Sequence, residues 1–409
     1  PTGAYTRAIR SDVKRKGLLF AGTETGIYTS FNDGASWEPL QLNLPRVSVR
    51  DLTVHGNDLI AATHGRAFWV IDDVSPLREL SAAVMRKPVH LFQPAPAMLW
   101  DGGGWQRKGA AGENPPPGAL VDYWLRDRPA AGTAVTVQFL DGKGMLIRSF
   151  TTKTDSSRTP TDSVPARTVG TDSIAYHAAD SIPRLQPGTN RFHWNLRYPN
   201  ARELRNTVID EGTLGGPRVP PGTYTVRLVV GRDTSSRQFA VVADPRSTSS
   251  TADLIAQFDA AQRVRGRLNE LVDRVERLED LQVQLDARVT QTKDQVYAKQ
   301  VADAATAARV KLETVRDQLY EIGCHVDQCT LDQPVRLYNW FITLNSQLQQ
   351  GAYAPTQQHG EIFTDLSTKL DVQLRTLDQI EADDIAKFNA MLQGLGIPSV
   401  FVKPKPPIS

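Results

Sequence analysis

Two adjacent carboxylates, Asp72 and Asp73, are the residues of this chain whose types first suggest acid–base chemistry. A hydrolytic site of the two-carboxylate kind needs both groups to face one substrate. The surrounding sequence predicts a strand, in which neighbouring side chains point to opposite faces. We therefore interpret both residues as structural and assign no catalytic residue in this chain.

A second group of chemically capable side chains lies just upstream, in a turn and the strand that follows it. A sialidase-like site would need an arginine cluster, a tyrosine and an acidic residue brought together from several segments. The turn supplies one arginine and one histidine, which we expect to bond turn carbonyls. These residues form a strand-closing motif: His64, Gly65, Arg66, Phe68 and Trp69.

The two cysteines, Cys324 and Cys329, are separated by four residues. One interpretation is a disulfide that closes a tight loop between helices, which would contribute about 2 kcal/mol. The alternative is a zinc site that adds His325, but it lacks a fourth ligand and the usual spacing. No metal or cofactor is predicted. A disulfide would indicate an oxidising compartment, so we expect a periplasmic or extracellular protein.

The stretch 30–37 matches the pattern Ser-x-Asp-x-Gly-x-Ser/Thr-Trp, with asparagine in the usual aspartate position. This pattern is an Asp box, a turn between the outer strands of a β-propeller blade. A short polar side chain is expected to cap the backbone amides, and glycine to adopt a positive φ. Its structural residues are Ser30, Asn32, Asp33, Gly34, Ser36 and Trp37.

Further segments extend the similarity beyond the box. Together they resemble the closing blades and C-terminal half of a bacterial family with sortilin-type, Asp-box (BNR) propellers, often labelled glycosyl hydrolase. The resemblance implies a propeller fold, and it also implies a long run of blades ahead of residue 1, since members of this family carry one. The segments are 17–28, 62–73, 113–119, 190–199 and 221–226.

The amino-terminal part predicts too few strands to close a propeller. Residues 1–75 contain short strands sufficient for one to two blades, whereas rings are built from four or more. Open blade edges would leave backbone amides and carbonyls unpaired. We therefore expect residues 1–75 to dock against other polypeptide or against the next domain.

The middle of the chain predicts a second β domain. Residues 76–117 are rich in proline and glycine and are interpreted as a connector. Residues 118–245 alternate with period two and predict an immunoglobulin- or fibronectin-like β-sandwich. A long polar insertion, 151–184, is interpreted as a surface excursion from this domain.

The C-terminal part predicts helices. Between 250 and 396, apolar residues recur every three or four positions, which indicates four amphipathic helices in an antiparallel bundle. Residues 397–409 are interpreted as an extended tail. The fold class expected for the whole chain is multidomain α+β: partial propeller blades, a β-sandwich and a helical bundle.

Net charge and hydropathy bear on nucleic-acid binding and on membrane spanning. The 409 residues carry a formal net charge of +2 with the basic residues dispersed, which does not favour nucleic-acid binding. The sequence contains no apolar run long enough to span a bilayer.

These observations favour a non-catalytic, extracytoplasmic scaffold protein that binds other protein chains through residues 1–75 and the helical bundle. The expected role is an accessory subunit on the outer face of a larger complex, such as a respiratory or photosynthetic membrane assembly. The alternative is the C-terminal, non-catalytic portion of a sialidase-like glycoside hydrolase. Glycan binding through the sandwich is a third possibility, for which Tyr123, Trp124 and Trp194 are the available aromatic residues.

Overall fold

A computed structural model describes residues 4–100, 117–152 and 182–402, except 206, 210, 211, 324, 325 and 327. It is a mixed α+β structure with several sheets and a C-terminal helical region. The described residues divide into two compact units. The sheet unit contains 4–100, 117–152, 182–196 and 221–244, and the helical unit contains 197–220 and 245–402.

Two small antiparallel sheets form the amino-terminal part of the sheet unit. The first has the order β1-β2-β3-β4 and the second the order β5-β6-β7. Apolar residues of both sheets, including Phe20, Leu52 and Leu59, form a shared buried core. The strands are β1 Thr6–Ser11, β2 Leu19–Thr23, β3 Ile27–Ser30, β4 Glu38–Pro39, β5 Val49–His55, β6 Asp58–Thr63 and β7 Phe68–Ile71.

Asp12 links the amino-terminal sheets to the helix α1, Ser75–Glu79, through Arg78. Its carboxylate is fully buried, accepts hydrogen bonds from the amides of Lys14 and Arg15, and forms an ion pair with Arg78. Burial by itself raises the pKa of Asp12, but these hydrogen bonds and the charge of Arg78 outweigh it, so the pKa is lowered.

We expect the Asp12→Asn variant to lose about 1–3 kcal/mol at neutral pH, because a buried charged hydrogen bond is removed. Since the pKa of Asp12 is lower in the folded state, its contribution is present above the unfolded-state pKa of about 3.9 and is lost as the pH falls through the folded-state pKa. Denaturant unfolding of both proteins between about pH 2 and pH 7 measures this. A difference between wild type and variant that does not shrink in acid would contradict it.

Two further sheets complete the sheet unit, with orders β13-β10-β8 and β12-β11-β14-β15-β9. Strand β9 pairs in parallel with β15, and the remaining pairs are antiparallel. The rings of Phe139 and Trp194, one from each sheet, stack with centroids 4.2 Å apart. The remaining elements are α2 Ala82–Arg86, β8 Val89–Leu91, β9 Ala97–Leu99, β10 Ala119–Leu125, β11 Val135–Leu140, β12 Leu146–Thr151, β13 Gly188–Trp194, β14 Gly222–Val230 and β15 Asp233–Ala243.

The region interpreted as a connector therefore contains structured elements. Two short helices and two strands lie within 75–99, and both strands belong to the sheets just described. Most of the predicted polar insertion, 153–181, and the glycine- and proline-rich stretch 101–116 lie outside the described residues. So does 403–409, most of the predicted tail.

The helical unit is built around one long helix that begins with a capping box formed by Ser250 and Asp253. Apolar stripes of the helices meet in one core, which also includes Leu204 and Leu214 from the segment 197–220. The helices are α3 Thr251–Thr292, α4 Ala298–Leu319, α5 Leu337–Leu348, α6 Gln357–Ile380 and α7 Ala386–Gly394, with a 3₁₀ turn at Cys329–Leu331 and a π-helical turn at Glu381–Ile385.

Ion pairs from α3 to α6 and to the π-helical turn that continues it show that α3 and α6 run in the same direction. The pairs are Arg267 with Asp371, Arg274 with Asp378, and Arg277 with Glu381. Each partner lies 104 residues further along the chain, a constant offset that only parallel helices give. The structure thus differs from the predicted alternating antiparallel bundle, because the link 320–336 is too long to force α4 and α5 into a hairpin.

Candidate functional site

The Asp-box turn between β3 and β4 is closed by its own side chains. The Ser30 hydroxyl accepts from the amide of Gly34 at 2.9 Å, and the Asn32 Oδ1 accepts from the amide of Ser36 at 2.9 Å. Asp33 and Gly34 have φ values of 59° and 89°. The asparagine thus performs the capping that the motif requires of an aspartate. Trp37 lies against Gly34 and is partly exposed.

The strand-closing motif forms the hairpin from β6 to β7. Gly65 has a φ of 80°, and the Thr63 amide donates to the Ala67 carbonyl at 3.1 Å. The Trp69 indole donates to the Arg66 carbonyl at 2.9 Å. The side chains of His64 and Arg66 are exposed, and the turn is closed by the Trp69 indole and by backbone groups, including the Arg66 carbonyl. The motif therefore forms the turn that leads from β6 into β7.

Strand β7 is an edge of its sheet within the described residues, paired to β6 alone. In an antiparallel pair of strands, hydrogen-bonded and non-hydrogen-bonded residue pairs alternate. The bond from the Thr63 amide to the Ala67 carbonyl therefore fixes which residues of β7 bond to β6. Trp69 and Ile71 direct their amides and carbonyls toward β6. Phe68 and Val70 direct theirs away from β6, toward the open edge.

The side chains of β7 divide in the same way. Trp69 and Ile71 pack against the core of the two amino-terminal sheets. Phe68 and Val70 point to the opposite face, where they are 75% and 50% exposed. An apolar face beside an unpaired strand edge is the arrangement that recruits another strand. We call the outward edge and face of Phe68 and Val70 the β7 rim.

The backbone carbonyls of the two aspartates that first suggested chemistry are held by Arg191 at the end of β7. Arg191 on β13 donates to the carbonyls of Asp72 and Asp73 at 2.7 and 2.9 Å, and it forms a two-pronged ion pair with the buried Asp122. Burial raises the pKa of Asp122, and the charge of Arg191 opposes that shift. Burial and the nearby Asp58 raise the pKa of Asp72. The cluster therefore anchors β7 to the adjoining sheet.

The remaining candidate residues for a catalytic or metal-binding role are His193 and the two cysteines. His193 lies buried on β13, and its Nε2 is 2.9 Å from the carbonyl oxygen of Pro117. Cys329 is buried at the start of the 3₁₀ turn, whereas Cys324 lies outside the described residues, so the disulfide stays a prediction. Across the described ranges, no three His, Cys, Asp or Glu side chains come together as a metal site. Within the same ranges no helix has the length and hydropathy to cross a bilayer.

Sequence reasoning missed two features of these units. Arg191 was not singled out, because its partners lie 69 to 119 residues away and no local pattern marks such a contact. A groove of about 700 Å³ along α5 and α6 was also missed. Ile362 falls on the period of the core stripe of α6 yet is exposed, and Val372 is the exposed apolar residue that lies outside that stripe.

Comparisons of the chain with protein-family models and with curated proteins found no match. The resemblance to Asp-box propellers therefore rests on the motifs of the sequence.

Proposed function

We propose that this chain is a non-catalytic, extracytoplasmic scaffold whose β7 rim takes up a strand from another polypeptide. In this proposal the two amino-terminal sheets are propeller blades, and the sheets that carry Phe139 and Trp194 form a β-sandwich. The chain would serve as an accessory subunit on the outer face of a larger complex. The single observation that carries the proposal is the open, apolar edge of β7.

The chemistry of this edge favours a strand over other partners. Within the described part of the chain, Phe68 and Val70 carry both the outward amides and carbonyls that lack a strand partner and exposed apolar side chains, which is the pattern that an added strand satisfies. Arg191 fixes the following carbonyls, those of Asp72 and Asp73, so the strand end is held rigid. A rigid edge lowers the entropy cost of docking.

Hydrogen exchange tests the proposal residue by residue. In the isolated chain we expect the amides of Phe68 and Val70 to exchange quickly and those of Trp69 and Ile71 slowly. In the particle purified from its native source, the Phe68 and Val70 amides should become protected by at least about tenfold. Equal exchange of these two amides in both samples would overturn the proposal.

A matched pair of variants tests the same point by binding. Val70→Pro removes an outward amide without removing a bond to β6, so it should keep the fold and lose the partner. Val283→Asp changes an exposed valine on α3 and should keep both. Hydrolysis of aryl glycosides by the isolated chain would contradict the non-catalytic part of the proposal.

A further inference from the structure

The exposed face of α6 has a pattern that is symmetric about its middle. Asp365 and Lys369 lie two residues on either side of Ser367, and Ile362 and Val372 lie five residues on either side. At 3.6 residues per turn, all four project within about 40° of one direction, opposite to Ser367. Both apolar members are exposed, at 41% and 45%.

This pattern lines the groove between α5 and α6. Trp340 of α5, which is 49% exposed, stands on the other side of the groove, above the buried Leu344 and Leu366. The stripe from Ile362 to Val372 is about 15 Å long, which is close to the length of α5. The groove can therefore receive side chains from one helix laid along it.

We propose that this face is a two-fold interface with a second copy of the chain, in which α6 packs antiparallel on α6 of the other copy. A two-fold axis opposite Ser367 brings Ile362 of each copy against Val372 of the other. It also brings Asp365 of each copy against Lys369 of the other, so the contact pairs opposite charges as well as apolar side chains. Such self-complementarity is what an isologous interface requires.

The ion pair within one copy does not compete strongly with this arrangement. Asp365 and Lys369 contact each other at 2.8 Å, but both side chains are more than half exposed. An exposed pair with this spacing contributes about 0.3–0.5 kcal/mol. The same two charges can then form two pairs across the interface, shielded by Trp340 from each side.

Light scattering at low salt, from about 1 to 100 µM chain, tests the interface. We expect a dimer in the wild type and, in Lys369→Glu, a dissociation constant raised at least about tenfold by facing acidic groups. The swapped variant, Asp365→Lys with Lys369→Asp, keeps the symmetry and should restore dimerisation to within about threefold.

Lys299→Glu is the matched control, because Lys299 and Asp303 form an exposed pair with the same spacing on α4. It should leave the dimer unchanged. A wild type that is monomeric at about 100 µM would overturn the interface, as would a dimer indifferent to Lys369→Glu or a folded swapped variant that stays monomeric. Far-UV circular dichroism confirms that each variant keeps its helices.

Discussion

The Arg277→Met variant is expected to lose about 3–5 kcal/mol of free energy of unfolding in the helical unit. Arg277 and its partner Glu381 are 11% and 8% exposed, and they meet through a two-pronged ion pair that joins α3 to the π-helical turn. Removing the guanidinium leaves the Glu381 carboxylate buried without its partner. That uncompensated charge, more than the lost contact, causes the destabilisation.

A second variant separates these two causes. In Arg277→Met with Glu381→Met both charges are gone, and we expect most of the lost free energy to return. Lys299→Met removes an exposed charge and should change stability by less than about 0.5 kcal/mol. Urea unfolding followed at 222 nm measures all three, because that signal comes mainly from the helices. A double variant as unstable as Arg277→Met would contradict the explanation.

The Arg191→Met variant is expected to lose about 3–5 kcal/mol in the sheet unit at neutral pH. It leaves Asp122 buried and unpaired and removes two donors from the carbonyls of Asp72 and Asp73. Without Arg191, the already raised pKa of Asp122 should rise further. Protonation of Asp122 then favours the folded state, so the loss should be greatest above the folded-state pKa and smallest below the unfolded-state value of about 3.9.

Tryptophan fluorescence during urea unfolding, repeated from about pH 3 to pH 8, measures this dependence. The Arg191→Met, Asp122→Leu double variant serves as the control, because it carries neither buried charge and should show little of the pH dependence. Proteolysis after Asp73 should also become faster in Arg191→Met, since the end of β7 is released. A loss that stays constant over the whole pH range would contradict the role given to Asp122.

The sequence predicted features whose contacts are local. The turn at 30–37 is closed by hydrogen bonds between residues two to four positions apart. Strands β2, β3, β5, β6 and β7 follow the strands predicted at 18–22, 27–30, 49–54, 59–63 and 67–71 to within one residue at each end, whereas the short β4 was not predicted. The spacing of apolar residues and the residue types of the turns are sufficient to predict such elements from the sequence.

Features that depend on distant residues could not be predicted. Strand β9 pairs in parallel with β15, about 140 residues later, and no local signal marks that partner. The segment 197–220 leaves the sheet region and enters the helical unit, where the Tyr338 hydroxyl accepts from the Leu204 amide and Asn345 donates to the Thr213 carbonyl. These contacts are specified by packing in three dimensions, so the sequence pattern alone left them open.

A structure of the particle purified from its native source tests the scaffold role most directly. We expect backbone density for a strand of another polypeptide paired to β7, with hydrogen bonds to the amides and carbonyls of Phe68 and Val70. A particle in which β7 remains an exposed edge, with both side chains in solvent, would contradict that role.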